Sequence, residues 1–325
     1  MQLFTKVDLP NFSKKIDFDT VSLLLGSCFS DNIGKWLHEI KFNSLSNPFG
    51  TLYNPISVGN CLQHIINGTV FSEKDLCERK SQYFSYDFHG SFAGNDKKIV
   101  LEEMNTAVKN ARNTLLNADY LFVTFGTAWA FELKGSSKLV ANCHKMPSNT
   151  FNRRKLEVEE IVNVWDNLHD LLFEKFPKLD IVYTVSPIRH LKDGAIENMQ
   201  SKATLFVALD KLLKKNIRVH YFPAYEIVQD ELRDYRFYAK DMVHLSETAT
   251  DFIKAKFTSA FFDKSTLEIL KQIEDIVAAS KHRPLHPESE EYKSFCNKML
   301  VKIKSLELIY PNMDFSSEKT IFVKM

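Results

Sequence analysis

Two adjacent side chains that can act as nucleophiles, Ser27 and Cys28, follow an apolar run that ends at Gly26. The run from 21 to 25 has the length of a buried strand, and 32 to 40 has the apolar spacing of a helix. A strand, a tight turn and a helix N-terminus direct backbone N–H groups and the positive end of the helix dipole at this point. Such a site can lower the pKa of a thiol or hold an oxyanion.

A carboxylate and an imidazole occur together late in the chain, as Asp241 and His244 in the order Asp-x-x-His. A carboxylate this close to a histidine can hold its Nδ1–H and leave Nε2 free to take a proton. Together with a nucleophile after the first strand, this pair forms a workable hydrolytic constellation. The structural alternative is that Asp241 caps the next helix and His244 is a surface residue.

The elements that must position these residues follow a regular pattern. Further apolar strands are predicted at 120–126, 181–187 and 217–223, with helices predicted between them at 98–117, 158–176 and 201–213. Such alternation predicts a parallel sheet covered on both faces, with ligands beyond the carboxyl ends of the strands. We therefore expect the following segments to converge on one crevice: 26–30, 126–129, 186–193, 223–226 and 241–244.

Length and charge limit the class of protein. The 325 residues, 44% hydrophobic and 26% charged, are enough for one α/β domain with an appendage. The net charge of +1 gives no global argument for a nucleic-acid or anionic membrane partner. No segment approaches the roughly 18 apolar residues of a membrane span, and the N-terminus lacks the apolar core of a signal peptide. We expect a cytoplasmic protein with a small-molecule partner.

The cysteines agree with a reduced compartment, because the five are odd in number and scattered without a C-x-x-C pair. No metal-ligand spacing is present, so neither a metal nor another cofactor is expected. After residue 263 the chain becomes helical, with helices predicted at 267–279 and 290–308. We therefore divide it into a domain at 1–262 and a C-terminal helical extension at 263–325 that packs on this domain.

Several motifs in order resemble one known family. The stretch Gly26-Ser27-Cys28-Phe29-Ser30 resembles the signature of the GSCFA domain family, which is named after that motif with Ala in the last place. Further matching stretches lie at 47–55, 126–129, 142–145 and 186–190, and from 221 through 241 to 244. The family is functionally uncharacterised, so the resemblance implies more about fold than about function.

The GSCFA domain is in turn similar to the SGNH, or GDSL, hydrolases, which are esterases, lipases and acyltransferases with a flavodoxin-like, three-layer α/β/α fold. In that superfamily a Gly-Asp-Ser block supplies the nucleophile, and a late Asp-x-x-His supplies acid and base. The resemblance places Cys28 at the nucleophile position and Ser27 where an Asp usually stands. It assigns Asp241 and His244 to the acid–base pair, and it implies that the backbone N–H groups of Cys28 and Gly50 hold the oxyanion.

The third block of that superfamily is different here, because Gly-x-Asn-Asp would require an Asn at Ala128. Either a substitute oxyanion donor comes from Thr127, Asn142 or His144, or the oxyanion hole is incomplete. Arg189 could clamp a carboxylate or phosphate of the substrate, or it could belong to an ordinary basic turn. His144 and His190 could each bind an anionic group, stabilise an oxyanion or satisfy a loop.

The leading hypothesis is an SGNH-like hydrolase or acyltransferase that acts on an ester, thioester or acetylated small molecule through Cys28 or Ser27. The alternative is a non-catalytic ligand-binding or regulatory module that keeps the crevice but has lost turnover, which the missing Asn favours. A third hypothesis is a redox sensor centred on Cys28. The lack of a nearby resolving cysteine in the sequence argues against it. The acyl group, its acceptor and the oligomeric state are left open.

Overall fold

The computed structural model describes residues 5–189 and 191–323. In chain order the strands are β1 (Val21–Gly26), β2 (Asn43–Ser46), β3 (Cys77–Arg79), β4 (Gln82–Phe84), β5 (Tyr120–Phe125), β6 (Trp129–Leu133), β7 (Lys138–Val140), β8 (Phe151–Lys155), β9 (Asp180–Val185) and β10 (Val219–Tyr221). The helices are α1 (Cys28–Glu39), α2 (Pro55–Asn67), α3 (Lys97–Asn117), α4 (Val158–Lys175), α5 (Gly194–Leu213), α6 (Ala224–Glu226), α7 (Glu247–Phe261), α8 (Lys264–Lys281), α9 (Glu290–Ile309) and α10 (Ser316–Val323).

A parallel sheet of five strands forms the centre of the molecule, in the order β2-β1-β5-β9-β10. Numbered along the chain, this order is 2-1-3-4-5, the flavodoxin-like arrangement of doubly wound folds. Alternating side chains of β1 point to opposite faces: Leu23 and Leu25 pack with α2 to α5, whereas Leu24 packs with α1 and α7. The predicted three-layer α/β/α fold class is therefore confirmed.

Two local expectations need correction. The edge strand β2 was not predicted, because Asn43–Ser46 has polar residues and stays partly exposed on one side of the sheet. Helix α1 begins at Cys28 rather than at residue 32, because the Ser27 side chain accepts a hydrogen bond from the amide of Phe29 and caps the helix. The candidate nucleophile therefore lies in the first turn of α1.

Two antiparallel inserts lie outside the central sheet. Strands β3 and β4 form a hairpin, and β6 pairs with β7 and β8 in a separate three-stranded sheet. Phe84, Tyr86, Val140 and Phe151 from these inserts form an apolar cluster of their own. This insert region contains Asn142 and His144, two of the candidate oxyanion donors from the sequence.

The C-terminal helices α8, α9 and α10 share one apolar cluster with α1, α7 and one face of the sheet. Ile273 of α8, Ile303 of α9 and Phe322 of α10 are buried in this cluster. The division of the chain between residues 262 and 263 stays a prediction. Across 5–189 and 191–323, no helix has both the length and the apolar composition needed to cross a membrane.

Candidate active site

A glycine allows the sharp turn at the end of β1. Gly26 has a φ of +130°, and a Cβ at this position would lie 2.1 Å from the carbonyl oxygen of Thr124 on β5. Its amide donates a hydrogen bond of 2.8 Å to Oδ1 of Asn47, which ties the turn to the loop after β2. Because only glycine fits this backbone and this space, the chain passes directly from β1 into α1.

Ser27 and Cys28 have different surroundings. Ser27 is fully buried, and its Oγ accepts from the amide of Phe29 at 3.4 Å. Cys28 is the first residue of α1 and is partly exposed. The thiol of Cys28 is therefore the accessible group of the two, whereas the hydroxyl of Ser27 serves as a helix cap.

The turn lies at the switch point of the sheet. The amide of Ser27 donates to the carbonyl of Thr124 at 3.2 Å, which continues the pairing of β1 with β5 beyond the last strand residue. After β1 the chain goes to α1 on one face, and after β5 it goes on to α4 on the other face. Such a point opens a crevice between neighbouring strands, where doubly wound proteins bind their ligands.

An acidic side chain in the first turn of α1 orders the neighbouring loop. Asp31 accepts hydrogen bonds from Nδ2 of Asn47 at 2.7 Å and from Oγ1 of Thr51 at 2.9 Å. Burial and, second, the Asp31 carboxylate raise the pKa of the Cys28 thiol, while the backbone N–H groups of Cys28 and Phe29 and the Lys202 ammonium act in the opposite direction. The surroundings of Cys28 therefore favour the neutral thiol, and a base or a positive charge is needed to favour the thiolate.

The predicted role of Gly50 does not fit its observed contact. The amide of Gly50 donates to the carbonyl oxygen of Asn47 at 2.7 Å and closes a tight turn. This N–H is engaged within the loop and is not directed at an acyl oxygen. The amides at the N-terminus of α1, which face the sulfur of Cys28, are the backbone donors that remain at this site.

Asp241 and His244 form the expected pair, but on the surface. Nδ1 of His244 lies 2.6 Å from Oδ2 of Asp241, and both side chains are about half exposed at 58% and 50%. They lie in the tight loop between Tyr238 and Leu245, which are joined by an antiparallel bridge. The His244 hydrogen bond, with two backbone amides, lowers the pKa of Asp241 to about 2. In the described part of the chain, no hydrogen bond joins His244 to Cys28.

Lys202 of α5 is a site residue that the sequence interpretation missed. It is 1% exposed, and its Nζ donates to the carbonyl oxygens of Gly126 at 2.7 Å and Ser186 at 2.6 Å, directly after β5 and β9. Burial lowers the pKa of Lys202 to about 7, with a smaller opposing effect from Cys28 and a smaller lowering by Arg189. The signal was present in the sequence, because Lys202 lies on the face of α5 that also carries Leu205 and Leu209.

The other residues predicted after β5 and β9 have partners of their own. Oγ1 of Thr127 lies 3.0 Å from Oγ of Ser201 and accepts from the amide of Trp129 at 3.1 Å. Nε of Arg189 donates to Oδ1 of Asn198 at 3.5 Å, and the positive charge of Arg189 lowers the pKa of Lys202 by a smaller amount than burial does. The prediction for His190 lies outside the described residues.

Asn142 and His144 lie in the insert region. They line a groove of about 550 Å³ in the insert region, together with Arg79, Lys80, His89 and Lys145. Nε2 of His144 contacts the carbonyl oxygens of Ser85 at 2.9 Å and Phe88 at 3.1 Å, and burial lowers its pKa. These contacts hold the ring of His144 in its loop. The groove borders the loop after β2, because His89 packs against Gly50 and Gly90 lies beside Asn142. The predicted oxyanion or substrate roles of Asn142 and His144 stay predictions.

Fold and site together define a class: a doubly wound α/β/α protein with a candidate thiol nucleophile at the switch point of its sheet. The chain belongs to the GSCFA family, whose model matches residues 22–257. A second model, described as GSCFA domain protein, C-terminal domain, matches residues 273–325. No curated protein matches the chain. Within the described ranges, no three or more His, Cys, Asp and Glu side chains are grouped to hold a metal ion.

Proposed function

We propose that this protein is an SGNH-like hydrolase or acyltransferase that acts on an ester, thioester or acetylated small molecule, with Cys28 as nucleophile. The position of Cys28 carries the proposal, because this partly exposed thiol is the first residue of α1 at the switch point of the sheet. The amides of Cys28 and Phe29 face its sulfur. Helix N-terminal amides at this place can stabilise negative charge on a reacting group.

The proposed reaction has two stages. The Cys28 sulfur forms a bond to the acyl carbon, the carbonyl π electrons move to oxygen, and collapse of this oxyanion expels the alcohol or thiol. Water or another acceptor then attacks the acyl thioester, and the Cys28 thiol is released again. His244, held through Nδ1 by Asp241, gives a proton from Nε2 to the leaving group in the first stage and takes one at Nε2 from water or the acceptor in the second.

This use of His244 takes Nε2 as the reacting nitrogen. Nδ1 is held by Asp241, and the pair is solvent-exposed in the loop between Tyr238 and Leu245, so Nε2 is open to a substrate or to water. The free cysteines support our proposal of a cytoplasmic location, because thiols stay reduced there.

The test is turnover of a panel of p-nitrophenyl esters and acyl-CoA thioesters by matched variants. Cys28→Ala is expected to abolish turnover, whereas Cys143→Ala, which removes another partly exposed thiol, keeps it. His244→Ala is expected to reduce the rate by about 10²–10⁴-fold, the usual contribution of general acid–base catalysis. Full turnover by Cys28→Ala would refute the proposal.

A second candidate function is a non-catalytic ligand-binding module that uses the same crevice. Two observations favour it: the Gly50 amide is engaged in its own turn, and the exposed His244 is bonded to Asp241 rather than to Cys28. This candidate predicts that members of the same panel raise the melting temperature of the protein without product formation. Product formation that depends on Cys28 would exclude it.

A further inference from the structure

A buried ammonium is uncommon and needs a reason in the structure. Lys202 is 1% exposed, and its surroundings include the ring of Tyr225, whose centroid lies 5.7 Å from Nζ. An ammonium has three N–H donors, and two of them are used by the carbonyl oxygens of Gly126 and Ser186. One donor is therefore left for another acceptor in a place where an unpaired charge is costly.

The end of the β1–β5 pair connects this ammonium to the turn before Cys28. Gly26 pairs with Thr124 across β1 and β5, and the amide of Ser27 still bonds to the carbonyl of Thr124. A Cβ built on Gly126 would lie 3.4 Å from Cβ of Ser27, the residue before Cys28. The carbonyl oxygen of this same Gly126 accepts from Nζ of Lys202, so the ammonium is bonded to the backbone that packs against the nucleophile turn.

We propose that Lys202 is the counter-charge of the Cys28 thiolate, and that it rather than His244 sets the ionisation of the nucleophile. The proposal rests on the role of Cys28 suggested above. Transfer of the thiol proton to the neutral amine turns S–H and NH₂ into S⁻ and NH₃⁺, so the total charge of the pair does not change. A low-dielectric site tolerates such an ion pair better than a single charge. Lys202 is then a positioning residue, because it acts through Cys28.

The electrostatics of the surroundings agree with this pairing. The Lys202 ammonium lowers the pKa of Cys28, and Cys28 raises that of Lys202. The other described charges that face the pair are Asp31, which opposes the thiolate, and Arg189, which opposes the ammonium. The phenol of Tyr53 also faces Cys28, and burial and then Cys28 raise its pKa. With burial bringing the pKa of Lys202 to about 7, both protonation states of its amine are present near neutral pH.

The first test is the pH dependence of the alkylation of Cys28 by iodoacetamide, followed by mass spectrometry of the peptide that contains Cys28. Lys202→Met is expected to raise the midpoint of the rate profile by about one pH unit or more. Lys211→Met removes an exposed lysine of the same helix and is expected to leave the midpoint unchanged. A midpoint that is unaffected by Lys202→Met, or that moves with His244→Ala instead, overturns the proposal.

The reciprocal test does not require a change at the buried lysine. In protein labelled with ¹³C-lysine, the NMR titration of Lys202 is expected to have a lower midpoint in Cys28→Ser than in the natural sequence, because serine offers no thiolate. Equal midpoints overturn the proposal even if Lys202→Met fails to fold. Both measurements work without a substrate, so an inactive panel of esters would refute the proposed reaction and leave these results unaffected.

Discussion

Gly26, Ser27 and Cys28 have three different tasks at the end of β1. Gly26 makes the turn with its positive φ, Ser27 caps α1 with its Oγ, and Cys28 is left partly exposed on the first turn of the helix. The order of these tasks follows from side-chain size and hydrogen-bonding capacity, because a thiol is a weak cap and a buried serine needs a hydrogen bond. Cys28 is therefore the better candidate nucleophile of the pair.

The turn can be tested with two glycines that both have positive φ. Gly26→Ala is expected to lower the free energy of unfolding by about 3 kcal/mol or more, because strain adds to a clash with the Thr124 carbonyl at 2.1 Å. Gly135→Ala has φ +86 but open space around the new Cβ, so a loss of about 1 kcal/mol is expected. Urea unfolding measures both, and equal losses would contradict the clash.

At the scale of elements, helix α4 packs on the sheet through a buried polar pair. Nε2 of His169 lies 2.7 Å from the hydroxyl of Tyr183 on β9, and the histidine is 4% exposed. Burial lowers the pKa of His169 from 6.5 to about 4, against weaker raising effects of Asp166 and Asp170. The unfolded chain therefore binds this proton first, so the stabilisation is complete above about pH 6.5 and is lost as the pH falls toward 4.

The packing of α4 on the sheet is therefore expected to be sensitive to acid. The free energy of unfolding is expected to fall by about 2 kcal/mol through His169 alone between about pH 7 and about pH 5. His169→Gln has no titrating group and should flatten the profile by that amount. His38→Gln, at an exposed position on α1, is the control for the loss of a histidine. Urea unfolding at both pH values gives the comparison, and parallel profiles for natural protein and His169→Gln would contradict the assignment.

At the scale of the whole molecule, the C-terminal helices complete the apolar layer on one face of the sheet. Residues of α8, α9 and α10 share a cluster with α1 and α7, and α1 carries the candidate nucleophile. Because these helices cover the same apolar surface as α7, we expect the chain to unfold in one cooperative transition.

Two positions on α9 test this expectation. Ile303→Ala removes a fully buried side chain and is expected to cost about 2–5 kcal/mol. Val301→Ala on the same helix is 65% exposed and should change stability by less than about 0.5 kcal/mol. Thermal unfolding followed by calorimetry checks both the shift and the number of transitions. A separate early transition in Ile303→Ala would show that the C-terminal helices unfold independently.

Local sequence determined much of this protein. The apolar runs predicted four of the five strands of the central sheet, and periodic apolar residues predicted the main helices, because both signals depend on neighbours in the chain. The GSCFA motif identified the family, and the spacing of Asp241 and His244 was enough for them to form a hydrogen-bonded pair. Strand β2 was not predicted from the sequence, because an edge strand needs few apolar residues.

Tertiary structure decided which of the candidates meet. Asn142 and His144 lie on an insert with its own apolar cluster, and the pair of Asp241 and His244 lies on an exposed loop tip. Lys202 entered the site because α5 packs its buried face under the ends of β5 and β9. Distances between residues far apart in the chain depend on how layers pack, and short-range spacing does not contain them. The sequence thus determined the turn that presents Cys28, and only the packing decided that an ammonium is bonded to the ends of β5 and β9 beside that turn.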